Sequence, residues 1–425
     1  MSNAPTPTGR SPLLVVFLTV FIDLLGFGIV IPLLPVYSKL FGASELELGL
    51  LFSAFSGMQF VFAPMWGRVS DRVGRRPVLL GGLLGTAVSY VLFAHANSLP
   101  LLFLSRLMAG FFGANISTAQ AYIADVTTPA NRAKGMGMLG AAFGLGFTIG
   151  PLVGGELTAV SRVAPGYAAA LLSLAAATFG WFRLTEPPAV QRTHSRVFSA
   201  AQLHGAFGQS RIGVLLALYF LAIFAFSAFE AMFTRFGLAC FPTRFGMTQA
   251  VEHASLDEIL RAAPYAGRYL CFIGVVSALI QGGLIRRLVP RYGEPALAVV
   301  GPFLLALALF IIGAATHATG NQDLQWYVVI AGCLVMPLGF GLNNPALTGL
   351  ISRASPAAEQ GAYLGLSQSV GSLARMSGPP FAGALFKYLG PTSPFLAAGA
   401  CLILATLLAN WYRGRHGASF RGGGA

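Results

Sequence analysis

Gly67-Arg68-Val69-Ser70-Asp71-Arg72-Val73-Gly74-Arg75-Arg76-Pro77 is the run whose reading decides the fold. It sets arginines, one aspartate and two glycines between two strongly apolar stretches, 46–66 and 77–96. Gly67 and Gly74 suit a tight connection, because they lack the Cβ that closes off much of backbone space. Asp71 among so many arginines reads as a partner for something rather than as surface decoration. Each flank is about 20 residues long, enough to cross ~30 Å of hydrocarbon as a helix rising ~1.5 Å per residue. The run is therefore a short polar loop between two membrane-spanning helices.

The rest of the chain agrees. Of 425 residues, 55% are hydrophobic and 10% charged, whereas a soluble domain carries about 25% charged residues. That excludes a water-soluble monomer, a disordered chain and a disulfide scaffold. A hydropathy walk gives twelve spans: 12–34, 46–66, 77–96, 99–122, 134–158, 165–184, 211–234, 265–285, 295–316, 325–350, 360–386 and 392–412. The first exceeds the ~7–15-residue core of a cleavable signal, so it is read as retained. Two gaps are long. One runs from Thr185 to Ser210 and contains Pro187 and Pro188; the other runs from Arg235 to Pro264. In the second, Ser255-Leu256-Asp257-Glu258 fits a capping box and predicts a short surface helix over 256–263.

The formal net charge of +13 would suggest nucleic acid in a soluble chain. Here its placement matters more. An even number of spans puts both termini on one side, and most arginines fall there. The other side holds Lys39, Arg162, Arg235, Arg244, Arg261, Arg268 and Lys387. The positive-inside rule then places both termini in the cytoplasm. The expected protein is a multi-pass, monomeric component of the cell (inner) membrane whose partners are lipid, a small-molecule substrate and protons, with no nucleic acid. Cys240, Cys271, Cys333 and Cys401 are too scattered for a metal site or a disulfide framework. No HExxH, GxSxG or Walker loop is present, so neither an enzyme nor a cofactor is expected, and transport energy must come from an ion gradient.

The chain also repeats itself. Gly150-Pro151-Leu152-Val153-Gly154-Gly155-Glu156-Leu157 in span 5 is echoed half a chain later by Gly378-Pro379-Pro380-Phe381-Ala382-Gly383-Ala384-Leu385 in span 11. The expected fold is thus an all-α membrane protein of twelve helices in two pseudo-symmetric halves, 1–184 and 211–425, joined by a cytoplasmic linker over 185–210. Transporters built from repeats bind substrate near the midplane and rock one half against the other.

The 67–77 run resembles the G-x-x-x-D-R-x-G-R-R signature of the major facilitator superfamily. Three further stretches are similar to the twelve-span drug:proton antiporters within it. They are Asp23-Leu24-Leu25-Gly26-Phe27-Gly28-Ile29-Val30-Ile31-Pro32-Leu33-Leu34-Pro35, Arg106-Leu107-Met108-Ala109-Gly110, and the glycine pattern of span 5 with Gly140, Gly144, Gly146, Gly150, Pro151, Gly154 and Gly155. The last resembles the antiporter motif, although glycines at such spacing also serve ordinary close helix packing. The resemblance implies a cytoplasmic latch of Gly67, Asp71, Arg72, Gly74, Arg75, Arg76 and Asp125. In it Asp71 meets the N-terminal end of span 11 and Arg75 pairs with Asp125. It further implies proton-coupled antiport that exports small amphipathic compounds; the alternative is an ion-coupled importer or carrier of a small metabolite such as a sugar or organic acid. The tetracycline exporters of the family are associated with a histidine in span 8 and an acid in span 9. Spans 8 and 9 here contain neither, which points away from tetracycline.

Charges at membrane depth cost several kcal/mol and are functional candidates by default. Asp23 and Arg106 are expected to interact directly or through water and to couple proton binding to conformation, or else to form a static pair holding two helices together. Glu230, after a phenylalanine-rich stretch, is a second proton site, an attractant for a cationic apolar compound, or an ordinary acid at the rim. Arg375 is the other isolated charge. With Gln59, Asn115, Gln120, Asn343, Asn344 and Gln368 it makes up a candidate cavity lining, the alternative for each amide being a helix–helix hydrogen bond.

Overall fold

The computed structural model describes residues 12–127, 129–187, 210–249, 253–317, 320–355 and 360–416. Most of the expected linker lies outside them, as do Arg10, Arg192, Arg196 and Arg421. Among the described residues the regular elements are all helical. In the first half they are α1 Pro12–Val30, α2 Leu33–Leu40, α3 Glu45–Val73, α4 Arg75–Ala94, α5 Leu99–Gly113, α6 Ile116–Val126, α7 Pro129–Val160 and α8 Ala164–Arg183. In the second they are α9 Ser210–Cys240, α10 Leu256–Leu279, α11 Ile285–Tyr292, α12 Glu294–Ala314, α13 Gln322–Ala354, α14 Gln360–Leu389 and α15 Ser393–His416. Eleven helical segments are long and apolar enough to cross a membrane. The twelfth expected span, α14, has 30 residues and carries Gln368, Ser369, Ser372 and Arg375 along its length.

Four local expectations are corrected. The helix of span 2 does not stop at the membrane edge. Because its last residues are charged and can be solvated, α3 continues through Val73, so Gly67 is helical and faces open space. Gly74 alone makes the turn, at φ 113°, a conformation that only glycine adopts easily. Span 4 is two helices, α5 and α6, broken at Ala114-Asn115. The capping box at Ser255 is formed, with both reciprocal bonds to Glu258, but it starts α10 itself rather than a separate surface helix; Pro264 is absorbed without a break. Finally, α9 runs to Cys240, so Arg235 is a buried helical residue and not a loop residue.

Small residues decide which helices touch. A Cβ on Gly150 would lie 2.6 Å from the Gly28 backbone, and one on Gly146 2.9 Å from Leu24, which presses α7 onto α1. On another face of α7, Gly155 lies against Pro264 (2.9 Å for a Cβ) and Gly274 of α10 against Thr148 (2.6 Å), joining the two halves. The second joint between halves is α3 on α14. Gly49 lies against Pro379 and Pro380, Gly383 against Glu45 and Leu46, and the Ser53 hydroxyl donates to the Met376 carbonyl. These contacts all belong to the end remote from the chain termini. The molecule is closed there by backbone-to-backbone packing, the means by which membrane helices associate without a hydrophobic driving force.

Candidate functional site

At the termini end, the loop quoted first forms a compact charged cluster. Arg75 is 7% exposed. Its guanidinium meets Asp71 at 2.7 Å and Asp125 at 3.1 Å, and donates to the Ser70 hydroxyl at 2.5 Å. The Arg75–Asp125 contact implied by the resemblance is thus present. Arg72 closes α3 as its last basic residue. Arg76 donates to the Trp181 carbonyl at 2.6 Å and lies over the Trp181 ring. The residues leading into α14, 356–359, lie outside the described residues, and with them the expected partner of Asp71.

Glu186 was not singled out in the sequence. Its two carboxylate oxygens accept from the backbone N–H of Arg75 (2.6 Å) and of Arg76 (2.9 Å). It therefore caps α4, where the helix dipole favours an anion. A Cβ on Gly74 would meet that carboxylate at 2.9 Å, so glycine is needed there twice over. Glu186→Ala is expected to cost about 1 kcal/mol and to lower the thermal midpoint of the purified protein by a few degrees. An unchanged midpoint would show that water replaces the cap at no cost.

At mid-depth in the first half, Arg106 is 1% exposed and lies over the rings of Phe93 (5.1 Å) and Tyr90 (6.0 Å). Its Nε and Nη2 have no hydrogen-bond partner. Asp23 accepts from the Ser173 hydroxyl at 3.5 Å and borders a water-sized cavity lined also by Thr19, Leu79 and Asn115. No ion pair joins Asp23 to Arg106. Instead the Tyr90 ring beneath Arg106 also packs against α1, its Cε2 3.3 Å from a Cβ built on Gly26. Neither the direct Asp23–Arg106 contact expected from the sequence nor its alternative, a static pair, is formed.

In the second half, Arg375 donates to the Ser372 hydroxyl at 3.1 Å, and its charge acts on Glu230 and on Tyr219. Glu230 and Arg375 are half-buried and Gln368 is exposed. The other amides divide. Gln59 donates to the Gly113 carbonyl at 3.1 Å, and Trp66 Nε1 to the Phe111 carbonyl at 2.8 Å; together they satisfy carbonyls freed by the break in span 4. Asn115 is buried in that break against Gly82. Asn343 packs against Gly301 of α12, with its Oδ1 buried and unpartnered. Asn115 also borders the Asp23 cavity, while Gln120 and Asn344 are half-buried on α6 and α13. The glycine-rich motif also packs helices: Gly146, Gly150 and Gly154 hold α1, while Pro151 and Gly155 hold α10. Gly144 faces open space, and the described side-chain facts do not extend to Gly140.

Two pairs cross between halves at the remote end, and neither was expected. Arg235, 2% exposed, meets Glu45 at 3.1 Å and donates to the carbonyls of Ala43 (2.9 Å) and Pro35 (3.5 Å). Arg268 forms a two-pronged contact with Glu156, at 2.6 and 3.2 Å, but in solvent. Exposed pairs contribute little, so Arg235 is the stronger tie.

This architecture has relatives. A family model described as the Major Facilitator Superfamily matches residues 16–379 and 291–419. The chain is 31% identical over 409 residues to tetracycline resistance protein, class C, of Escherichia coli, covering 94% of this chain and 96% of that protein. It is 29% identical over 393 residues to multidrug resistance protein 2 of Bacillus subtilis (strain 168), covering 91% of each. The crystal structure of the human organic anion transporter MFSD10 (TETRAN) matches with a TM-score of 0.68 and 27% identity, over 95% of this chain and 100% of that one. The chain belongs to the major facilitator superfamily, and is a multi-pass membrane transporter rather than an enzyme.

Proposed function

We propose that the protein is a proton-coupled antiporter that exports small amphipathic compounds by alternating access. Its halves, 1–184 and 211–425, rock about the seams of α3 on α14 and α7 on α10, with both termini in the cytoplasm. The observation that carries the reading is the separated pair Asp23 and Arg106. A guanidinium with unmatched donors and a carboxylate are held apart in the core of one half, with the Tyr90 ring beneath the guanidinium and against α1. Such an arrangement has two electrostatic solutions. With Asp23 ionised, attraction draws the charges toward each other; with Asp23 protonated, Arg106 is released. The two protonation states therefore favour different relative placements of α1 and α5, as a coupling device requires. The relatives named for tetracycline and multidrug resistance support export of drug-like compounds. Half-buried aromatic rings support an apolar pocket with few polar groups: Phe27 stacked on Phe55 in one half, Phe226 stacked on Phe340 in the other.

The test uses inverted membrane vesicles energised to hold an inward proton gradient. Adding a transported dye is expected to release protons, and the dye accumulates. Asp23→Asn is expected to abolish accumulation against the gradient while leaving downhill exchange intact. Accumulation by Asp23→Asn at the wild-type level would overturn the reading.

A further inference from the structure

The second half holds two opposite charges that do not meet. Glu230 on α9 and Arg375 on α14 belong to no ion pair among the described residues, although each acts on the other electrostatically. Opposite charges at membrane depth normally close on one another, because each costs several kcal/mol alone. Arg235 and Glu45 do so in this same molecule. Nor are Glu230 and Arg375 needed to bind α9 to α14. Gly378 already seats on the Phe224 carbonyl and Ser227, and the Ser227 hydroxyl reaches the Ala374 carbonyl at 3.4 Å.

The surroundings form a receptor with two poles. Gln368, Ser372 and Arg375 fall on one face of α14 at helical spacing, and Tyr219, Phe226 and Glu230 on one face of α9. Gly371 lets the Tyr219 ring approach α14 beside Arg375, since a Cβ there would lie 3.0 Å from that ring and 3.6 Å from Arg375 Nη1. The residue after Arg375 is Met376, whose carbonyl receives Ser53 across the seam, so the receptor sits directly beneath the closed remote end. One wall is apolar, with the Phe226 and Phe340 rings stacked at 4.2 Å.

Taking the transport reading above as given, we infer that this receptor binds an amphipathic zwitterion. An acidic group lies on Arg375 beside Ser372 and Gln368, a cationic group lies on Glu230, and the apolar body lies against Phe226. A ligand with both charges satisfies both poles and adds no net charge. A ligand with one charge leaves the opposite pole desolvated and unmatched, which is how a site rejects near-analogues.

The test measures binding to the purified protein in lipid nanodiscs, by fluorescence anisotropy, with three dyes on one tricyclic body. They are rhodamine B at a pH where its carboxylate is ionised, its cationic ethyl ester, and anionic fluorescein. Wild type is expected to bind the zwitterion about ten-fold more tightly than either singly charged dye. Arg375→Gln is expected to erase the preference for the acid over the ester, and Glu230→Gln to raise fluorescein relative to the ester. Ser372→Ala, the mildest change, is expected to weaken the two acids and leave the ester unchanged. Equal affinity for the three dyes in wild type, no binding of any of them, or variants that weaken all three alike would overturn the inference. Failure of the antiport reading would show separately, as absence of proton release and of uphill accumulation in vesicles.

Discussion

Arg235→Gln is expected to release the remote end of the molecule. The guanidinium is 2% exposed and ties α9 of one half to Glu45 and to the carbonyls of Ala43 and Pro35 in the other. Truncating one partner of a buried, hydrogen-bonded charge pair costs about 2–5 kcal/mol, much of it from the charge left behind. Here that cost falls on one conformation only, because the pair crosses the seam and must part when the remote end opens. At 1.4 kcal/mol per decade, a loss of about 3 kcal/mol shifts the balance between the two states roughly 100-fold. A cysteine at Ser53, buried where its side chain reaches the Met376 carbonyl across the seam, reads this out in a chain stripped of its four native cysteines. Its labelling by a membrane-impermeant maleimide is expected to rise sharply in Arg235→Gln. Glu45→Gln keeps an acceptor oxygen and is expected to act in the same direction more weakly. Unchanged labelling in both would show that glycine packing alone closes this end.

That tie was invisible in the sequence for a physical reason. Hydropathy places Arg235 just beyond an apolar span, where a charge reads as solvated, and nothing local says that α9 carries on to Cys240. Apolar length and loop charge, by contrast, are summed over many residues, so the helices and their pairing into a membrane bundle were legible. The Arg75–Asp125 pair was legible only through resemblance, since fifty residues separate its members. Glu186 gave no signal: an acid just after a span looks the same whether it caps a neighbouring helix or faces water. Asp23 and Arg106 were found as charges in hydrocarbon, but Tyr90, whose ring Arg106 overlies, was not, because a tyrosine in an apolar span is unremarkable by composition. The amides carry two meanings that composition does not separate. Gln59 is polar at membrane depth because a broken helix needs a hydrogen-bonding group there, whether or not a substrate is near.

Gly49→Val is expected to stop the transport cycle by a different route from Arg235, through volume instead of charge. A Cβ at position 49 would lie 2.7 Å from the Pro379 carbonyl carbon and 2.8 Å from the Pro380 Cα, and Gly383 is held as closely against the Glu45 backbone from the other side. These neighbours are backbone atoms, which cannot rotate away as a side chain tip can. Inserting valine therefore separates α3 from α14 or leaves the clash in place. Overpacking a tight contact costs typically ~1–3 kcal/mol, and again only the state with the remote end closed bears it. Transport is expected to fall at least about ten-fold, the factor equivalent to 1.4 kcal/mol, with Ser53→Cys labelling raised as in Arg235→Gln. The control lies two turns along the same helix. Gly57 faces the Met376 sulfur, 3.2 Å from an added Cβ, and a thioether can swing aside. Gly57→Ala is therefore expected to transport near the wild-type rate. Equal loss in the two variants would mean that any added bulk on α3 is harmful, and normal transport by Gly49→Val would mean that the cycle never brings these backbones together.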